Sequence, residues 1–123
     1  MTSIRNFSFL TAFATGLLFV AVPVLADDFE LNGNAEAGKA PFQQQCASCH
    51  GTSGAGDGPA SRAFNPPPSD LTREDLSAER MFKATRDGGM AVGLAATMPA
   101  FSRSMSEQTI HDVVAYIKSL GDE

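Results

Sequence analysis

The chain has 123 residues, with nine Lys+Arg against fourteen Asp+Glu and a formal net charge of −5. That length suits one domain, and the acidic balance excludes a basic nucleic-acid surface. With no Trp and one Tyr, the side chains alone supply a small core.

Before Asp27 the only charge is Arg5, and residues 7–22 read "FSFLTAFATGLLFVAV". Pro23 and "VLA" follow, then "DDFE". A short apolar run closed by small residues predicts a secretory signal cleaved after Ala26, rather than a membrane anchor. The expected organisation is a signal peptide at 1–26, a flexible leader at 27–33 and one domain at 34–123. Removing Arg5 moves the net charge from −5 to −6.

Asn34 is a candidate N-cap for a helix over "AEAGKAPFQQQCASCH", and Pro41 inside it predicts a late start or a kink. Residues 51–70, "GTSGAGDGPASRAFNPPPSD", read as a loop with a short turn at 59–63. Ser77 caps a second helix that carries Glu79 early and Arg86 late and stops at Gly88 or Gly89. Residues 89–105 form another loop. Ser106 then caps a last helix in which Ile110, Val113, Val114 and Ile117 share one face and Gly121 ends the run. His111 is expected on its solvated side. No segment alternates like a strand. The expectation is all-α, three or four helices joined by loops long enough to wrap something.

The cysteines lie in "CASCH", residues 46–50. A redox dithiol would need an alternating β/α context. A zinc site would need two further ligands, and only His111 is left over. A plain disulfide suits an oxidising compartment but leaves His50 and the glycine-rich loops unexplained. C-x-x-C-H is the attachment pattern of c-type haem. At a helix end Cys46, Cys49 and His50 fall at i, i+3 and i+4, so two thioethers and one iron ligand face the same side.

The stretch from Asn34 to Leu120 resembles a small monohaem class I c-type cytochrome of the bacterial periplasmic kind. The resemblance rests on "GKAPFQQQCASCHG", "MPAF" at 98–101 and "IHDVVAYIKSL". It implies that Gly38 and Phe42 on the first helix pack against Val113 and Tyr116 on the last. It implies Met98 as the second axial ligand, with Met90 as competitor, Met81 as core and Met105 as packing or exposed. It also implies a proline carbonyl for the other nitrogen of His50, with Pro66 chosen from Pro66, Pro67 and Pro68. Arg62, Arg73 and Arg86 are the candidate partners of the propionates. Ala91, Val92, Leu94, Ala95, Ala96 and Phe101 are expected over the distal face.

The implied function is a periplasmic one-electron carrier with one covalent haem c and no enzymatic activity. It would be a monomer without membrane insertion after cleavage, exchanging electrons with donor and acceptor oxidoreductases. With three lysines, it would dock by an apolar or acidic rim. The alternatives are an electron-transfer subunit of a larger complex, or a haem sensor or enzyme with a labile sixth ligand.

Overall fold

The computed structural model describes residues 28–122. The expected signal peptide and its cleavage point lie outside them. The described residues form four α-helices and two 3-10 turns, with no strand among them.

Helix α1 spans Ala35–Gln45. The Asn34 side chain accepts from the Ala37 amide at 3.1 Å, which caps the helix start. The helix therefore begins six residues before Pro41, not late as expected. Proline removes the hydrogen bond to the Ala37 carbonyl. Ala37 is exposed, whereas Gly38 and Phe42 are buried, so the unpaired carbonyl can meet water. The helix breaks at Cys46, and α2, Ala47–His50, follows directly.

Helix α3, Ala78–Asp87, is capped by Ser77, and α4, Glu107–Leu120, by Ser106. Each serine oxygen accepts the amide three residues on, at 3.2 Å and 3.1 Å. The 3-10 turns are Ser61–Ala63 and Gly89–Val92.

The core lies where α1 crosses α4. Phe42, Ile110, Val113 and Val114 are essentially sealed from water. The Phe42 and Tyr116 rings meet at 5.3 Å. Gly38 sits so close to α4 that a Cβ there would land on the Asp112 carbonyl and the Val113 amide. These are the contacts the resemblance implied.

Two regions depart from expectation. The stretch before α1 is docked, not loose: Phe29 and Leu31 pack against the core. Gln108 Nε2 donates to the Asn32 carbonyl at 2.8 Å, and the Asn34 amide donates to Asp112 Oδ1 at 2.8 Å. Two apolar side chains in seven residues are enough to seat it. His111, expected in solvent, lies between Phe29 and Phe82, with ring centroids at 5.7 Å and 4.4 Å. The docked segment covers that side of α4.

Candidate cofactor site

The "CASCH" turn is held by backbone hydrogen bonds. The Cys49 and His50 amides donate to the Cys46 carbonyl at 3.1 Å and 2.9 Å. The following loop folds back on the turn: Gly56, Gly58 and Ala60 donate to the carbonyls of His50, Cys49 and Ser48. At Gly58 a Cβ would strike the carbonyls of Ala47 and Ser48, so the loop can lie this close only with glycine there.

Beside this turn is a cavity of about 530 Å³, within the usual range for a small-molecule site. Cys46, Cys49 and His50 line it from one end of α1–α2. Met81, Ala84 and Thr85 line it from α3, and Ile117 from α4. Leu94, Ala95, Met98, Pro99 and Phe101 line it from the loop before α4, and Phe64 and Pro66–Pro68 from the glycine- and proline-rich loop.

Met98 is held by main-chain bonds. Its carbonyl accepts from the Gly89 amide at 3.0 Å, and Phe101 and Ser102 donate to the Thr85 and Arg86 carbonyls of α3. Of the other methionines, Met81 is a buried wall residue and Met105 packs on the core. Met90 is 72 % exposed and does not line the cavity. Of the side chains expected over the distal face, Leu94, Ala95 and Phe101 line the cavity, whereas Ala91, Val92 and Ala96 do not.

His50 Nδ1 donates to the Ser69 carbonyl at 2.9 Å. A carbonyl can only accept, so the proton belongs on Nδ1 and the lone pair on Nε2. Burial holds the His50 pKa below its ordinary value, and the Ser69 bond pulls weakly the other way. A neutral imidazole with a free Nε2 is the form that binds a metal. The carbonyl that sequence reasoning assigned to Pro66 is thus that of Ser69. Pro66 lines the cavity, but the carbonyl bonded to the imidazole lies three residues later in the chain. Nothing in the spacing could have distinguished them.

The two thiols are unbridged and half-buried. Burial, with Cys49 nearby, pushes the Cys46 thiol up to about 11. That is opposite to the depressed value of a redox-active thiol. Among the described residues no group of three or more His, Cys, Asp or Glu side chains is placed to hold a metal ion by itself. Two thiols, one imidazole with a free nitrogen, a loop thioether at Met98 and a large apolar wall fit a covalently attached haem.

Three charged residues line the same cavity: Arg73, Asp75 and Arg80. Arg73 donates from Nε and Nη2 to the two Asp75 oxygens at 2.9 Å and 2.5 Å. Arg86 is bound to Asp87 and lies over the Phe82 ring, and Arg62 does not reach the cavity. Arg80, absent from the sequence-derived candidates, could have been found from its place one residue before Met81 and one turn before Ala84.

The family described as cytochrome c oxidase, cbb3-type, subunit III, matches residues 33–117. The chain is 32 % identical over 87 residues to the cbb3-type cytochrome c oxidase subunit CcoP of Azospirillum brasilense, covering 71 % of this chain and 28 % of that one. It thus spans little more than a quarter of that relative's length. Two relatives match over most of their length. Cytochrome c6 of Rippkaea orientalis is 29 % identical, with 82 % of this chain and 84 % of the relative covered. Cytochrome c-554(548) of Halomonas halodenitrificans is 34 % identical, with 71 % and 96 % covered. Among solved structures, a chain of the reducing HAO-like protein complex of Kuenenia stuttgartiensis superposes with a TM-score of 0.57 at 25 % identity, over 70 % of this chain and 43 % of its own.

Proposed function

Because the chain belongs to the c-type cytochromes, in the family of cbb3-type cytochrome c oxidase subunit III, we propose that it works outside the cytoplasm as a shuttle between redox proteins. It is a monohaem c-type cytochrome and a haem-based electron carrier. The haem c supplies one-electron exchange between ferric and ferrous iron.

The assignment of residues is our reading. Cys46 and Cys49 hold the haem as thioethers. His50 Nε2 binds the iron, and Ser69 fixes the ring that presents it. Met98 would be the second iron ligand, since it is the loop methionine that lines the cavity. Its soft thioether favours the ferrous state and raises the potential. Leu94, Ala95 and Phe101 keep water from the cavity. With His50 and Met98 both available to hold the iron, the protein would leave it no open position for a substrate, and our reading is a carrier and not an enzyme.

The observation that carries this reading is the convergence of Cys46, Cys49, His50 and Met98 on one apolar cavity. Two side chains of the Met98 loop, Met90 and Leu94, are the exposed large hydrophobics among the described residues. They support an apolar contact for the redox partner. A second reading is a carrier unit built into an oxidase or reductase complex, favoured by the names of the CcoP relative and the HAO-like complex.

The test is a visible spectrum of the exported protein in both redox states, with denaturing extraction of the haem. Haem should stay with the chain, and a weak far-red ferric band should mark methionine ligation. Met98→Ala should remove that band while haem stays attached, and Met90→Ala should leave it unchanged. The reverse pattern would move the ligand to Met90.

A further inference from the structure

The three charges lining the cavity are unequal. Arg73 and Asp75 form a closed two-point pair, so neither has charge to spare. A carboxylate approaching Arg73 would also meet Asp75. Arg80 lines the same cavity, and its guanidinium has no hydrogen bond or ion pair among the described residues. It stands at i, i+4 to the wall residue Ala84 and next to Met81. Helix α3, capped at Ser77 and packed through Met81, Phe82, Ala84 and Thr85, therefore holds it on a fixed wall.

We propose that Arg80 pairs with the propionate carboxylates of the haem and sets the charge felt at the iron, and that Arg73 is neutralised by Asp75 and does not. This rests on the reading that the cavity holds the haem. Arg80 has two effects. A fixed cation beside the haem disfavours the more positive ferric form and so raises the midpoint potential. A cation beside a carboxylate also lowers that carboxylate's pKa, because it stabilises the ionised form.

The experiment is potentiometric titration by visible absorbance, over a range of pH, on the haem-loaded wild type and three variants. In Arg80→Gln the midpoint should shift to lower potential, and the pH-dependent step in the potential should move to higher pH. Arg80→Lys should restore most of both. Arg73→Gln with Asp75→Asn, which leaves net charge unchanged, should shift the midpoint less than Arg80→Gln does. Arg80 is exposed, so the variants should fold and load haem. An unchanged midpoint and pH profile in Arg80→Gln would overturn the proposal. So would a larger shift in the Arg73/Asp75 double variant. The extraction assay on the wild type is read first. Haem lost there would refute the cofactor reading itself, whereas haem retained with a silent Arg80→Gln refutes only the role of Arg80.

Discussion

Asp70 follows Ser69, whose carbonyl accepts the hydrogen bond from His50 Nδ1. Its Oδ1 accepts from the Thr72 amide at 2.9 Å and the Thr72 hydroxyl at 2.7 Å. These bonds hold the Asp70 carboxyl below the usual carboxylate range, with Arg73 adding a smaller pull. The folded chain thus binds its proton at lower pH than the unfolded chain. The stabilisation is present at neutral pH and is lost as the pH falls through the folded value. Asp70→Asn keeps the accepting oxygen but removes the charge. It should lower Tm at neutral pH, and the gap to wild type should close on acidification. A gap that stays constant with pH would mean that the charge contributes nothing. At this scale the sequence was readable where the chemistry is local. Cys46, Cys49 and His50 lie within one turn, so spacing alone put them together. Ser69 is joined to His50 only after the loop returns, and no spacing signals that.

Among the helices, caps and periodicity were legible because both are short-range. Asn34, Ser77 and Ser106 cap the helices the sequence assigned to them. The segment before α1 was not legible: Phe29 and Leu31 have no period to betray them, and their burial depends on a groove made by α3 and α4. The α1–α4 crossing allows a sharp test. On helix propensity, Gly38→Ala should stabilise α1 by about 1 kcal/mol. On packing it should destabilise, because the new methyl would fall on the Asp112 carbonyl. We expect packing to win by about 1–3 kcal/mol, a fall in Tm of at least roughly 4 °C. Thermal melts of the haem-loaded protein decide the sign.

The whole molecule has nine buried hydrophobic side chains in its described core and a cavity of about 530 Å³ beside them. Without its cofactor that core is too small to offset the ordering of the long loops. The Cys46→Ala/Cys49→Ala double variant, prepared without haem, should lose most of its far-UV ellipticity and become protease-sensitive. A cooperative melt from that form would show the helices to be self-sufficient. The all-α class was readable because its signals are helical periods and breakers. The shape of the cavity was not, since it is formed by segments far apart in sequence.

The loop carrying Met98 closes through main-chain atoms: Gly89 to Met98, Leu94 to Gly89, Phe101 to Thr85. Its outward side chains, Met90, Ala91 and Ala96 among them, are exposed and take no part in that closure. Drift in those side chains can therefore remake the outer surface while the sulfur stays in register. An ancestral sequence of this loop could change the company the protein keeps without retuning its iron.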